Sequence, residues 1–110
     1  MDLLEAYQAH FQKLLEGYRK RLAAGMIASA EAAALSIQRD AETLSAGAEE
    51  CYKKALRSAE QYRHPRLRES ALQAAEDDRR RAREATERFL EIGLDTIRKN
   101  LEASLSRLGK

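Results

Sequence analysis

Pro65 is the only proline in this chain of 110 residues, and the sequence on both sides of it carries helical periodicity. Proline has no amide hydrogen to give a helix and its ring clashes with the carbonyl four residues back, yet it fits the first turn of a new helix. The stretch Arg63-His64-Pro65-Arg66 therefore predicts that one long helix ends near Tyr62 and a second begins at Pro65. The alternative is one rod that kinks at the proline.

The side chains available for a core point the same way. The chain has 20 Ala, 15 Leu and four Ile, with no Val and no Trp. Ala and Leu lose little freedom in a helix, and the β-branched residues that favour strands are scarce. No stretch alternates with period two, so the expected class is all-α. A chain of 12.4 kDa has room for a single domain, residues 1–110, and its core must be thin.

The first helix, expected over about 2–62, opens with its largest side chains. Leu4, Tyr7, Phe11, Leu14 and Tyr18 follow three- and four-residue steps on one face, and Leu22 extends it. The stripe then continues in smaller residues, Met26, Ala30, Ala33, Ile37, Ala41, Leu44, Ala48 and Tyr52. Residues 23–34 hold seven alanines, which lets another helix approach closely. Repeated four-residue steps from Tyr18 to Ala30 depart from strict heptads and disfavour a long regular zipper. Gly25 and Gly47 are the two places where this helix could divide, and a break near Gly25 would give a three-helix bundle instead of a hairpin.

In the second helix, about 65–108, the apolar line Leu67, Ala71, Ala74, Ala82, Ala85, Phe89 and Ile92 is weak in the middle, with Asp78 where a leucine would be expected. It strengthens through Leu94, Ile97, Leu101, Leu105 and Leu108. An antiparallel hairpin would lay this last stretch against residues 20–40, large side chains into an alanine-rich surface. The segment from Leu4 to Tyr18 would then extend past its partner with an apolar face uncovered. A homodimer completing a four-helix bundle, or another helical protein, would cover it. The expected protein interface is therefore Leu4, Tyr7, Phe11, Leu14, Tyr18 and Leu22, together with Leu94, Ile97, Leu101 and Leu105.

Nothing in the sequence assembles a catalytic or cofactor site. Glu16 and Lys20, Glu49 and Lys53, Glu50 and Lys54, Glu76 and Arg80, and Asp77 and Arg81 are i,i+4 pairs that read as helix support. His10, His64 and Cys51 lack metal-ligand spacing, and the five glycines form no phosphate loop. No catalytic residue, cofactor or metal is expected. Residues 56–110 carry a net charge of +3 against −1 for residues 1–55. Arg63, Arg66, Arg68, Arg79, Arg80, Arg81 and Arg83 form a possible anion or nucleic-acid patch, although neighbouring acids answer most of this charge.

The reading that follows is a non-enzymatic helical assembly or adaptor protein acting through protein–protein contacts. The alternatives are nucleic-acid binding through the arginines and an amphipathic coat on a lipid or granule surface. With no apolar run long enough for a membrane span, no signal-like start and a single cysteine, the expected location is the cytoplasm.

Overall fold

The computed structural model describes residues 2–109 and contains two α-helices and, among the described residues, no strand. Helix α1 runs Leu3–Glu60 and helix α2 runs Pro65–Leu108. At the start of α1 the Asp2 carbonyl accepts the first helical hydrogen bond, from the Ala6 amide at 3.2 Å. Asp2 thus caps the helix that the aromatic stripe occupies. At the other end of the chain the Gly109 amide closes α2 on the Leu105 carbonyl at 3.1 Å.

Neither Gly25 nor Gly47 divides α1, which is unbroken over 58 residues, and the three-helix alternative is set aside with them. Neither has a proline or a polar loop beside it, and one interior glycine costs only about 1 kcal/mol relative to alanine. The helical flanks on each side outweigh that cost. No glycine adopts a positive φ, and a Cβ placed on Gly17, Gly25 or Gly47 would meet nothing within 4 Å.

The turn at Pro65 is built from side chains that the sequence supplies locally. The last turn of α1 tightens, with the Gln61 amide donating to the Ser58 carbonyl and the Tyr62 amide to the Ala59 carbonyl, both at 3.2 Å. His64 caps α2: its Nδ1 accepts from the Arg66 amide at 3.2 Å and its carbonyl from the Arg68 amide at 3.0 Å. Arg68 then reaches back over the turn and donates two hydrogen bonds to the Tyr62 carbonyl, at 3.1 and 2.8 Å. That carbonyl lies past the end of α1, and the guanidinium satisfies it with charge-assisted bonds.

Packing divides into two units. The first to consider is Leu35–Leu94, where the helices form an antiparallel hairpin. Ile37 lies beside Gly93, Glu49 meets Arg79 and Tyr52 meets Glu76, so the residue number rises on one helix as it falls on the other. The buried residues among those described are Ala41, Ala59 and Ala75. The α2 seam runs through Ala71, Leu72, Ala75, Arg79, Ala82, Thr86, Leu90, Gly93 and Leu94. It lies beside the line expected from large apolar residues: Leu67, Phe89 and Ile92 stand on the exposed side. The seam passes through a glycine, a threonine and an arginine, which hydropathy alone would not choose. Gly93 is there for space, since a Cβ at that position would come within 2.8 Å of Ile37 Cδ1.

The second unit comprises the residues up to Ala34 with those from Asp95 onward. Here Met26 sits beside Ser104, Arg107 and Leu108, while Ala30 and Ala33 lie toward Ile97, so the two segments again run antiparallel. None of its described residues is buried. Its α2 segment is also much shorter than its α1 segment, and residues before about Tyr18 have no α2 opposite them.

Gly47→Ala is expected to raise the unfolding free energy by about 0.5–1 kcal/mol, because alanine favours the helix and its methyl meets open space. Gly93→Ala should give less or nothing, since its methyl displaces Ile37. Urea midpoints of the two variants beside wild type test the difference.

Candidate functional site

The apolar periodicity at the start of α1 becomes a physical surface in the structure. Leu4, Tyr7, Phe11, Leu14 and Tyr18 retain 62, 71, 55, 58 and 56% of their accessible area. At 100° per residue they share one side of α1, and Leu3 and Leu15 flank them, also exposed. Scattered exposed leucines are ordinary in proteins, but a contiguous stripe of two tyrosines, a phenylalanine and four leucines is not.

Where α2 begins to cover α1, the same side of the helix turns into a groove. Arg21, Leu22, Gly25, Met26, Ser29 and Ala33 supply one wall and Ile97, Leu101 and Ser104 the other. Its volume is about 550 Å³. Leu22, Ile97, Leu101 and Leu105 are half-buried in this unit, whereas Leu94 belongs to the seam of the other unit. Small residues on α1, Gly25 and Ser29 above all, leave the groove open. A ridge of large side chains therefore runs directly into a depression of small ones on the same helix.

Charges near the ridge are arranged by end. Asp2 and Glu5 stand at its start, and Arg19, Lys20 and Arg21 at its finish, all exposed. Next to the groove, on α2, Asp95 accepts from Arg98 at 2.6 Å and from Lys99 at 2.9 Å. The Arg98 hydrogen bond, aided by that of Lys99, holds the Asp95 carboxyl below the usual carboxylate range.

Four of the seven arginines named from sequence already have acceptors within the chain. Arg68 is committed to the Tyr62 carbonyl, and Arg80 and Arg81 lie 3.5 Å from Asp77 and Asp78 on their own helix. Arg79 points inward: it donates two hydrogen bonds to Glu49, at 2.9 and 3.2 Å, and its guanidinium lies 4.4 Å from the centre of the Tyr52 ring. Arg63, Arg66 and Arg83 are exposed. Arg79 and Arg83 are four residues apart and start from one side of α2, but Arg79 is taken up by Glu49 and Tyr52 on the facing helix, while Arg80 and Arg81 step round the helix by 100° each.

The expected i,i+4 pairs are redrawn as well. Glu49 and Glu76 reach across the hairpin to Arg79 and Tyr52 instead of along their own helices. Lys53 lies 3.6 Å from Glu50, an i,i+3 contact. The Tyr52 hydroxyl donates to Glu76, and this hydrogen bond raises the phenol's pKa above its ordinary value, with Arg79 pulling the other way. Glu49 likewise raises that of Arg79. Sequence reading missed this cluster because a polar residue inside an apolar line looks like an interruption; the aromatic Tyr52 on the facing helix was its one available signal.

Among the described residues no three His, Cys, Asp or Glu side chains gather as a metal-binding set, and no buried side-chain polar atom lacks a hydrogen-bond partner. His10 stands exposed beside the aromatic stripe, His64 caps α2, and Cys51 is an exposed free thiol. No described helix is long and apolar enough to cross a membrane. Comparison with known protein families, characterised proteins and solved structures found no match to this chain.

The Tyr52–Glu76 bond gives the hairpin a defined response to alkali. A group whose pKa is raised by folding contributes stability below its unfolded value, about 10 for a phenol, and loses it as pH rises through the folded value. The stability difference between wild type and Tyr52→Phe is thus expected to be greatest near pH 7–9 and to shrink above about pH 10. Urea unfolding of both chains across that range checks it.

Proposed function

We propose that this chain is a non-enzymatic assembly or adaptor protein whose working surface is the exposed stripe from Leu4 to Tyr18 on α1. The observation that carries the reading is that this unit buries none of its described residues while displaying three aromatic rings and four leucines along one helix face. A helix gains most of its stability by packing its apolar side, so a face this rich is provisioned for a partner that the unit itself does not contain. Aromatic side chains in the middle of such a face are the residue types that anchor protein interfaces.

The nucleic-acid reading is supported less well, because Arg68, Arg79, Arg80 and Arg81 already have acceptors within the chain. A lipid-surface coat would need a basic polar face beside the apolar one. Around the stripe the acids Asp2, Glu5 and Glu16 offset most of Lys13, Arg19, Lys20 and Arg21. Catalysis calls for ionisable groups converging in a protected concavity. The groove beside the stripe is instead lined mainly by aliphatic and small residues.

A photo-activatable benzophenone side chain in place of Tyr18 is expected to form protein–protein adducts on irradiation of the cells producing the chain. Phe11→Asp in the same chain should reduce those adducts at least tenfold, the usual scale for an interface anchor, with helical circular dichroism retained. No protein adduct, combined with flotation on phosphatidylcholine–phosphatidylglycerol vesicles, would overturn the proposal in favour of the coat reading.

A further inference from the structure

We infer that the occupant of the α1 stripe is the same stripe of a second copy of this chain, aligned antiparallel about a two-fold axis between Phe11 and Leu14. The inference rests on the protein-binding reading above and specifies its partner.

Three observations converge on a second copy. The first is charge. Along the stripe the acids Asp2 and Glu5 lie at one end and the bases Arg19, Lys20 and Arg21 at the other, all of them exposed. A two-fold axis that reverses direction places each acidic end beside a basic end, twice over. Parallel alignment would place acid on acid and base on base. Opposite charges flanking an apolar seam set partner choice and orientation in just this way.

The second is register. Leu4, Tyr7, Phe11, Leu14 and Tyr18 alternate three- and four-residue steps, the spacing of a two-helix seam. Setting Phe11 opposite Leu14 brings Tyr7 opposite Tyr18 and Leu4 opposite Arg21. Leu3 and Leu4 of each copy then reach the mouth of the other's groove beside Leu22, where Gly25 leaves room. In the same register Glu5 stands across from Lys20, so the alignment that fills the seam is also the one that matches the charges.

The third is area. Seven side chains, each still offering roughly 100 Å² of apolar surface, offer roughly 700 Å² per copy, so a contact could bury at most roughly 1,400 Å² for both, an upper bound that reaches the range of stable specific interfaces. The bulky ridge at one end and the small-residue groove at the other make the surface complementary to itself, which a two-fold contact requires. Each groove is incomplete without the partner's first turn.

The test uses light scattering and sedimentation equilibrium on the full chain and on two charge-altered chains. One carries Glu5→Lys and Gln8→Lys, making both ends of the stripe basic; the other carries Arg19→Glu, Lys20→Glu and Arg21→Glu, making both ends acidic. All five positions are exposed, so helicity by circular dichroism should be unchanged. Wild type is expected at twice 12.4 kDa. Each altered chain alone should dissociate with a Kd raised on the order of tenfold, and an equimolar mixture should recover wild-type affinity as a heterodimer. A spin label on Gln8→Cys, which leaves Glu5 in place, in a chain also carrying Cys51→Ser, should report a separation of roughly 15–20 Å, as nine residues of helix rise and the distance between helices require; a parallel pair would bring the labels to about 10 Å. A monomeric wild type, a dimer indifferent to both sets of charges, or the short label distance would each overturn the inference. Protein adducts at position 18 to a different chain, with wild type monomeric, would retain the interface and reject only self-association.

Discussion

Two helices side by side can enclose very little, and most of this protein's structure follows from that constraint. A side chain is shielded only where it lies in the plane of contact, so the fully enclosed positions are narrow. Among the described residues they are Ala41, Ala59 and Ala75, and nothing larger is buried. Leucines, isoleucines and aromatics remain partly in contact with water along both helices. In such an architecture the hydrophobic effect is only partly satisfied within one chain, and the residual apolar surface is a property of the fold instead of an accident of one patch.

Within that constraint, specificity in the hairpin comes from polar and steric detail. Arg79 lying over Tyr52 and bonded to Glu49, with Tyr52 bonded to Glu76, ties the helices at one level by contacts that any sliding would break. Ile37 against Gly93 sets the close approach at another. Exposed ion pairs add little to stability in general, so the cluster is better understood as fixing which residues face one another than as a source of strength.

Much of this arrangement was legible from residues alone, and the misses have physical causes. Pro65 announced the turn because no other residue restricts backbone and hydrogen bonding so strongly, and α2 does begin there. The stripe from Leu4 to Tyr18 stood out because large side chains at helical spacing need no tertiary information to share a face. Gly25 and Gly47 were ambiguous because a glycine's local cost is small enough for neighbouring packing to override. The α2 seam was placed only in part: Ala71, Ala82 and Leu94 lie in it, but Leu67, Phe89 and Ile92 do not, and Gly93, Thr86 and Arg79 occupy it for reasons of space and cross-helix bonding. Arg79 left the arginine group because Glu49 and Tyr52 on the facing helix hold it, a pairing invisible along the sequence. Glu49 and Glu76 could be assigned to their true partners only once the opposite helix was in place.

The Arg68 clamp on the Tyr62 carbonyl bears on the order in which the hairpin forms. It joins residues six apart, the Tyr52–Glu76 bond joins residues 24 apart, and the Glu49–Arg79 contact spans 30. Loop-closure entropy increases with each of these separations, so the turn is the least costly place to nucleate and pairing spreads outward from it. Helix pairs remote in sequence are expected to close last and open first, which would grade amide exchange along the hairpin, slowest close to Ala59 and Ala75 and faster toward Ile37 and Gly93.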